Sequence, residues 1–358
     1  KKGYISYYKT IKSPAPEMGA PVEDLGLADG IVRHLHENGI TRFYKFQEES
    51  IREIIFGQNV VITAPTASGK TEAFSIPVIQ KIASDNNRGG IFAIFVYPTK
   101  ALARDQLPKI REIAKSVGLG ADVFDGDTKG ADRAEILENL PQIIVTNFDV
   151  LHYHMMYRTK FASACSTTRF LVVDEAHVYS GIFGSNVHYI IKRLKRICRK
   201  IQFVASSATL DNAKEFCQDL FGVQMDLIQG SRKKGETDFV MAFPSLRTQR
   251  ALVIDLLENW LQKTQDDGFL QLAPKLGADS NTGKKKKIDI KVHRAGLMAN
   301  YRNFVEKAFK EDRLSAISCT PTLELGIDVG NVDGVISSTI PINRLLQRIG
   351  RAARKGQR

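Results

Sequence analysis

The chain has 358 residues, of which 43% are hydrophobic and 25% charged, and this is the composition of a soluble globular protein with two or three domains. Its formal net charge of +12 favours a polyanionic partner, most simply nucleic acid, although a generically basic protein would show the same balance. The cysteines contain no Cys-x-x-Cys pair, which excludes a zinc ribbon or an iron–sulfur cluster in this stretch and predicts reduced, buried thiols.

No apolar run approaches the roughly 18 residues needed to cross a bilayer, and the first residues lack the apolar segment of a signal peptide. We therefore expect a soluble intracellular protein, cytoplasmic or nuclear, with no membrane partner. The chain begins without methionine and ends at Gln357-Arg358, so we expect a fragment of a longer protein.

Residues 1–28 contain three prolines and little periodicity, and they predict an extended N-terminal arm. After this arm, short β-rich apolar runs alternate with helical stretches. The predicted strands are 59–63, 91–97, 143–146, 170–173 and 202–205, and the predicted helices include 72–82, 102–117 and 186–200. This alternation predicts a first α/β domain over 29–230, built on a parallel sheet that helices cover.

A polar stretch, 231–238, predicts a linker to a second α/β domain over 239–358, which we expect to be truncated. The elements predicted in that domain are a helix at 246–263 and strands at 288–292, 316–318 and 334–337. Residues 279–287 contain four consecutive lysines and predict a solvated loop, with contact to a phosphate backbone as the alternative.

A phosphate-binding loop is predicted between the strand at 59–63 and the helix at 72–82. Small residues there let consecutive backbone N–H groups turn towards phosphates, and the following helix adds its partial positive charge. Lys70 supplies a full charge, and the hydroxyl of Thr71 is placed to ligate Mg²⁺. Ala64 replaces the usual first glycine of the pattern. The predicted ATP-binding residues of this loop are Thr66, Ala67, Ser68, Gly69, Lys70 and Thr71.

An acidic pair follows the apolar strand at 170–173, in the run Asp174-Glu175-Ala176-His177. Two carboxylates at the end of a buried strand are costly unless a cation lies beside them. We therefore predict that Asp174 ligates Mg²⁺ and that Glu175 is the base that orients an attacking water. The alternative, a strand that merely ends in an acidic turn, explains either acid alone better than the pair.

Further motifs follow at 97–103 (Tyr-Pro-Thr-Lys-Ala-Leu-Ala), 146–147 (Thr-Asn), 207–209 (Ser-Ala-Thr), 320–328 and 347–354. In their order over residues 47–354, and together with the phosphate loop and the acidic pair, they resemble a superfamily 2 helicase of the DEAH-signature kind. The resemblance implies an α/β fold with two RecA-like domains, each a mostly parallel sheet flanked by helices, and a nucleotide cleft between them. ATP and Mg²⁺ are the implied cofactors. The residues that it places on nucleic acid are Pro98, Thr99, Lys100, Thr146, Asn147, Arg294 and Thr320, and those that couple ATP to movement are His177, Ser207, Ala208 and Thr209.

The run 347–354 matches the last motif of the family. Arg351 and Arg354 stand three residues apart, so they share one face of a helix, and the resemblance makes them arginine fingers that reach the γ-phosphate. It also makes Gln347 a catalytic residue and Asp328 an ATP-binding one. Gln47, which follows an aromatic cluster, is predicted to bind the adenine edge, although such a cluster is more often core. His293, before Arg294, could equally be a packed core histidine.

Four segments indicate a more specific group within this family. They are 66–68, 125–128 (Asp-Gly-Asp-Thr), 181–185 (Gly-Ile-Phe-Gly-Ser) and 323–328 (Leu-Glu-Leu-Gly-Ile-Asp). They are similar to DNA-repair helicases of the mitomycin-repair-factor and RecQ-like Hrq type, with large helicase-related proteins second. That resemblance implies 3′-to-5′ movement on single-stranded DNA. The alternatives are an RNA helicase or remodeller on the same motor, or a nucleic-acid-binding adaptor with weak ATPase. Residues 268–275 match the family poorly.

Overall fold

The computed structural model describes residues 5–11, 17–65, 68–85, 89–198, 200–207, 212–230, 237–242, 269–272, 290–294, 296–311, 313–314, 316–320, 323, 332 and 334–337. These residues cluster into two compact units. The larger unit holds the described residues of 16–231, and the smaller unit holds those of 1–15 and 232–358.

The strands in chain order are β1 (Ile5–Ile11), β2 (Met18–Pro21), β3 (Arg42–Tyr44), β4 (Val60–Thr63), β5 (Ala93–Val96), β6 (Ala121–Val123), β7 (Ile143–Thr146), β8 (Phe170–Val173), β9 (Gln202–Ser207), β10 (Asp226–Gln229), β11 (Thr237–Ala242), β12 (Phe269–Leu272), β13 (Ile290–His293), β14 (Ala316–Cys319) and β15 (Gly334–Ser337). The helices are α1 (Asp29–Glu37), α2 (Lys45–Phe56), α3 (Lys70–Ala83), α4 (Lys100–Lys115), α5 (Gly130–Glu138), α6 (Phe148–Tyr157), α7 (Lys160–Ala164), α8 (Gly181–Ile197), α9 (Ala213–Phe221) and α10 (Ala299–Lys310).

The larger unit is built on a seven-stranded sheet in the order β10-β4-β9-β8-β5-β7-β6, and every neighbouring pair is parallel. Every residue of β4, β5, β7 and β8 is buried. Continuous apolar strands of this kind occur where helices cover both faces of a parallel sheet. The predicted α/β class, with a parallel sheet flanked by helices, is confirmed.

Two hydrophobic cores lie on the two faces of this sheet. Ala93 and Phe95 of β5 belong to one core, whereas Ile94 and Val96 belong to the other, because successive strand side chains point to opposite faces. The first core is completed by helices α1 to α4, and the second by helices α5 to α9. The larger unit therefore has three layers, and the carboxyl ends of all seven strands lie at one edge of the middle layer.

All four cysteines (Cys165, Cys198, Cys217 and Cys319) are buried and unbridged, as predicted. Burial raises the pKa of the Cys198 and Cys217 thiols to about 12. These thiols are therefore protonated and unreactive at neutral pH. Among the described helices, none is long and apolar enough to span a bilayer.

The smaller unit contains a four-stranded sheet in the order β13-β14-β12-β15. Strands β13 and β14 are parallel, but β12 runs antiparallel to both of its neighbours. This strand departs from the mostly parallel sheet that the resemblance implies for the second domain, and it lies within 268–275, where the sequence matches the family poorly.

Residues 1–28, predicted as one extended arm, contribute to both units. Strand β1 pairs antiparallel with β11 in the smaller unit, and β2 pairs with β3 in the larger one. Residues 237 and 238, predicted as the end of the linker, lie in β11. The β1–β11 ladder joins segments that are far apart in sequence, so local periodicity cannot reveal it. The predicted helix 246–263 and the lysine run at 279–287 lie outside the described residues.

Candidate nucleotide and nucleic-acid site

The predicted nucleotide residues follow three adjacent strands of the larger unit. Strand β4 leads into the phosphate loop, β9 ends at Ser207, and β8 ends immediately before Asp174. The strands are parallel and adjacent in the order β4-β9-β8, with Thr63 opposite Ser207. Because ligands of open α/β sheets bind outside the carboxyl ends of the strands, this edge is where a nucleotide site is expected.

Glycine is required where the phosphate loop meets helix α3. Gly69 has φ +89°, and a Cβ atom there would lie 2.3 Å from Nε2 of Gln47. The neighbouring hydroxyl of Ser68 is buried and has no hydrogen-bond partner among the described residues. A buried hydroxyl without a partner is costly, so this orphan donor at a helix N-terminus fits a phosphate oxygen. Thr66 and Ala67 lie outside the described residues.

Lys70, the first residue of α3, joins the phosphate loop to strand β9. Its side chain is buried, and Nζ donates to the carbonyl oxygens of Ala64 at 2.9 Å and Ser207 at 3.2 Å. Both acceptors are neutral carbonyl groups, so neither contact offsets the positive charge of the ammonium. The structure thus brings together the two motifs that the sequence places 137 residues apart.

Asp174 is the most strongly perturbed carboxylate of this edge. Its Oδ1 accepts hydrogen bonds from the backbone N–H of Glu175 at 2.9 Å and from the hydroxyl of Ser206. Burial, and next the charge of Glu175, raise the pKa of Asp174 to about 6, while Lys70 acts in the opposite direction. A divalent cation would offset both unfavourable contributions, so the donor set suits Mg²⁺.

Glu175 has φ +51°, a left-handed conformation that is unfavourable for a residue with a side chain. Its Oε2 lies 3.5 Å from Nδ1 of His177, and that nitrogen lies 3.3 Å from the hydroxyl of Ser207. Burial is the main cause that lowers the pKa of His177. The acidic pair, the histidine and the end of β9 therefore form one connected polar cluster.

Gln47 contacts the phosphate loop directly. Its Nε2 donates to the carbonyl oxygen of Gly69 and its Oε1 accepts from the backbone N–H of Tyr44, both at 2.9 Å. The side chain is buried, and the rings of Tyr44 and Phe46 beside it are stacked. Gln47 thus ties the start of α2 to the loop, and its predicted contact with adenine stays a prediction.

The residues predicted to contact nucleic acid follow the next two strands, β5 and β7. The side chain of Thr99 caps α4 by accepting from Leu102 N at 3.2 Å, and that of Asn147 caps α6 by accepting from Val150 N at 2.9 Å. Because β5 and β7 are adjacent and parallel, the two helix N-termini lie side by side. Such N-termini are anion-binding sites.

Pro98 and Lys100 are half-buried beside Thr99 at this edge. Thr146, in contrast, is fully buried, and its hydroxyl donates to Phe124 O at 2.6 Å. The side chain of Thr146 therefore supports the edge and does not line its surface.

The turn 125–128 lies next to these helix starts and is held by two ion pairs. Arg104 donates to both carboxylate oxygens of Asp125 at 2.9 Å, and Lys100 pairs with Asp127 at 2.6 Å. Asp125 is fully buried. Burial raises its pKa, but the hydrogen bonds from Arg104 and from the backbone of Asp127 outweigh burial, so the pKa lies below its ordinary value.

Asp125→Asn should destabilise the larger unit by about 1–2 kcal/mol, because Arg104, which is half exposed, loses a bidentate partner. Because the pKa of Asp125 is lower in the folded than in the unfolded protein, its ionised form stabilises the fold. This contribution to the free energy of unfolding is complete above the ordinary carboxylate pKa. It is lost as the pH falls through the lower pKa of the folded protein. Urea unfolding should therefore separate the variant from the parent more at about pH 7 than at about pH 3.

Asp122→Asn is the control for this prediction, since the Asp122–Arg111 pair is exposed on both sides. Its cost should stay below about 0.5 kcal/mol at either pH. An equal cost for the two variants would contradict the importance given to the buried pair.

In the smaller unit, Arg294 and Thr320 directly follow β13 and β14. These strands are parallel neighbours, and Thr320 N donates to His293 O at 3.2 Å, so the two predicted contact residues lie at one edge. His293 is buried, with Nε2 2.7 Å from Oε1 of Glu306 on α10. The alternative reading of His293 as a packed core histidine matches this geometry. The remaining predicted site residues, Ala208, Thr209, Asp328, Gln347, Arg351 and Arg354, lie outside the described residues.

Two polar residues at the site were not predicted: Ser206, which donates to Asp174, and Gln106, which accepts from Thr71 at 3.0 Å. The hydroxyl of Tyr97, the first residue of the predicted nucleic-acid motif, is buried without a partner among the described residues. Burial, and next the charge of Asp174, raise the pKa of Tyr97. The sequence does carry a signal for Gln106, because it interrupts the otherwise apolar stripe of α4.

Comparison with known proteins decides the family. A DEAD/DEAH box helicase model matches residues 44–216, and the helicase conserved C-terminal domain matches residues 256–356. The chain therefore carries a DEAD/DEAH box helicase domain followed by a helicase conserved C-terminal domain. The predicted resemblance, with its two RecA-like domains, is therefore confirmed.

Relatives in this helicase family include longer proteins. An uncharacterized ATP-dependent helicase of Bacillus subtilis, YprA, is 32% identical over 90% of this chain and 46% of its own length. The ATP-dependent helicase hrq1 of Schizosaccharomyces pombe is 30% identical over 89% of this chain and 33% of its own length. The crystal structure of the DUF1998 helicase MrfA bound to DNA and AMPPNP matches 99% of this chain and 52% of that protein, with TM-score 0.79 and 28% identity. The chain thus spans about half or less of the length of these three relatives.

Proposed function

We propose that this chain is the motor of an ATP- and Mg²⁺-dependent superfamily 2 DNA helicase that moves 3′ to 5′ on single-stranded DNA and acts in repair. The observation that carries the proposal is the arrangement along one sheet edge. The phosphate loop, Ser207 and the acidic pair follow β4, β9 and β8, and two capped helix N-termini follow the adjacent β5 and β7. The proposed nucleotide site and the proposed site for the nucleic-acid backbone thus share one rigid sheet.

The residues present fit a Mg²⁺ nucleotide. The orphan hydroxyl of Ser68, the backbone at Gly69 and the ammonium of Lys70 would hold the phosphates, with Gln47 and Asp328 as further ATP contacts. Thr71 and Asp174 would hold Mg²⁺, whose charge offsets the negative charge of the phosphates. The buried acidic pair, with the pKa of Asp174 raised, supports a cation at this point.

In the proposed reaction, Glu175 orients the attacking water and accepts its proton. His177 and Ser207 link this base to the end of β9, through the contacts at 3.5 and 3.3 Å. Ala208 and Thr209 would carry the same connection onward to domain movement. Because Lys70 donates to Ser207 O, a change at the phosphates would reach β9 directly.

The second domain would complete the catalytic set. Its Gln347, Arg351 and Arg354 would act on the γ-phosphate across a cleft between the domains, so that hydrolysis depends on closure of the cleft. Nucleic acid would bind at the starts of α4 and α6 and at the edge carrying Arg294 and Thr320. Closure and opening of the cleft would then tighten these backbone contacts alternately. DNA as partner is supported by the DNA-bound MrfA structure.

A strand-displacement assay tests the proposal, with 3′-tailed and 5′-tailed duplexes of DNA and of RNA at matched length and salt. We expect ATP-dependent unwinding of the 3′-tailed DNA duplex at least about tenfold faster than of the other three substrates, which corresponds to a barrier difference of about 1.4 kcal/mol. Preference for the 5′-tailed DNA would contradict the polarity, and preference for RNA would support the alternative of an RNA helicase or remodeller.

The assay includes RNA duplexes because helix N-termini contact phosphates, and phosphate contacts do not distinguish ribose from deoxyribose. A nucleic-acid-binding adaptor with weak ATPase is a third candidate. It would be supported by an absence of ATP turnover with saturating nucleic acid, measured on the same preparation.

A further inference from the structure

The hydroxyl of Thr71 is not free in the structure, since it donates to Oε1 of Gln106 at 3.0 Å. Gln106 lies on α4 and is buried, with 7% of its surface exposed. Its Nε2 donates in turn to Oδ2 of Asp105 at 2.9 Å. The second hydrogen bond fixes the orientation of the amide, so that its carbonyl oxygen and not its nitrogen faces Thr71.

A threonine hydroxyl has one proton and two lone pairs. When the proton is donated to Gln106, the lone pairs are left to face a cation, and the rotation of the hydroxyl is restricted. Outer partners that orient a metal ligand in this way commonly affect metal affinity by about 10- to 100-fold when they are removed. Gln106 therefore has the chemistry of a partner to a Mg²⁺ ligand.

The same helix begins at the nucleic-acid edge. Thr99 caps α4 and Lys100 is its first residue, so Gln106 lies about two turns further along the helix. A small movement of α4 on binding a phosphate backbone would be transmitted to Gln106, because a helix moves as a rigid element. One side chain thus connects the nucleic-acid edge to the proposed Mg²⁺ ligand.

We propose that Gln106 is a positioning residue: it holds the Thr71 hydroxyl in the orientation that favours Mg²⁺ nucleotide, and it couples the nucleic-acid contacts of α4 to nucleotide affinity. The inference rests on the proposed function, because it takes Thr71 as a Mg²⁺ ligand and α4 as a nucleic-acid contact. It goes beyond that function in adding a residue and a direct structural route between the two sites.

Gln106→Met preserves the volume and removes the acceptor. The affinity of a fluorescent ATP analogue should fall by about 3- to 10-fold in Mg²⁺ and by less than about 2-fold in EDTA, as expected for loss of one buried hydrogen bond that matters only when the cation is bound. Glu112→Gln, at an exposed position of the same helix, should leave both affinities unchanged. An equal fall in Mg²⁺ and in EDTA would overturn the inference, because it would show a packing defect.

A double-mutant cycle shows whether Gln106 acts through the Thr71 hydroxyl. In a Thr71→Ser background, which keeps a hydroxyl, Gln106→Met should still weaken Mg²⁺ nucleotide by about 3- to 10-fold. In a Thr71→Val background it should add less than about 2-fold, since no hydroxyl is left to position. The same loss in both backgrounds would overturn the assignment. If Gln106→Met fails to fold, Gln106→Leu replaces it in the same cycle.

Coupling is measured as the change in oligo(dT) affinity when AMPPNP and Mg²⁺ are added, because linkage is reciprocal between two ligands. The parent chain should show a change that Gln106→Met reduces at least about 2-fold, while oligo(dT) affinity without nucleotide stays as in the parent. A parent that neither binds the nucleotide nor turns it over with DNA would contradict the proposed function. A competent parent whose coupling equals that of the variant would contradict this inference alone.

Discussion

Lys70→Ala should lower ATP turnover by at least about 10²- to 10³-fold, since it removes the only full positive charge at the loop among the described residues. The ammonium is buried between carbonyl oxygens of the phosphate loop and of β9, so the variant loses the proposed phosphate partner and the hydrogen bonds that join the two motifs. Because Lys70 is buried, it contributes little to the outer surface, and single-stranded DNA binding at low salt should stay within about twofold of the parent.

Lys81→Ala is the matched control for Lys70→Ala. Lys81 lies on the same helix and its Nζ also donates to a backbone carbonyl, that of Ile55 at 2.9 Å, but it is distant from the strand edge that holds the acidic pair. Its ATP turnover should stay within about twofold of the parent, as for a surface substitution away from the site. Steady-state phosphate release and fluorescence anisotropy of labelled oligo(dT) measure the two quantities. Parental ATP turnover in the Lys70→Ala variant would contradict the assignment of this loop as the phosphate-binding loop.

The larger sheet was predictable from local sequence because its strands are buried on both faces. Such strands are short, nearly continuous apolar runs, and those at 143–146 and 170–173 have the predicted bounds. The short strand β6, in contrast, has one buried residue among its three. With so few apolar positions it gives no run to detect.

The pairings that the sequence did not predict join distant segments. Strand β1 meets β11 across more than 220 residues, and neither strand contains information on its partner. The antiparallel setting of β12 between β14 and β15 is likewise a property of the sheet and not of four residues. Local patterns identify strands, whereas register and order are decided by packing of the whole sheet.

The same distinction between local patterns and tertiary packing holds for the residues of the candidate site. Short motifs that follow apolar strands predicted Lys70, Asp174 and Glu175. Ser206 and Gln106 were not predicted, because their roles depend on which residue lies opposite them in the folded unit. The burial of the Thr146 hydroxyl against Phe124 is a similar case, since a motif cannot show which of its members turns inward.

Arg354→Ala should lower nucleic-acid-stimulated ATP turnover by about 10³- to 10⁵-fold, which is the range for loss of an arginine finger. The expected nucleotide affinity is within about twofold of the parent, because a finger acts on charge that develops in the transition state and not on the bound ground state. Arg351 stands three residues before Arg354 in the same predicted motif, so Arg351→Ala should behave in the same direction. Arg313→Ala, an exposed arginine of the smaller unit that pairs with Glu311, is the control and should retain parental turnover.

The two predictions separate the roles of the two domains. Lys70→Ala is expected to weaken Mg²⁺ nucleotide as well as turnover, because its ammonium lies in the loop that holds the phosphates. Arg354→Ala is expected to change turnover alone, and the loss should be largest with saturating nucleic acid, when the proposed closure would bring the finger to the phosphate. Equal turnover of Arg354→Ala and parent at saturating oligo(dT) would mean that the first domain hydrolyses ATP without help, and that closure does not drive the chemistry.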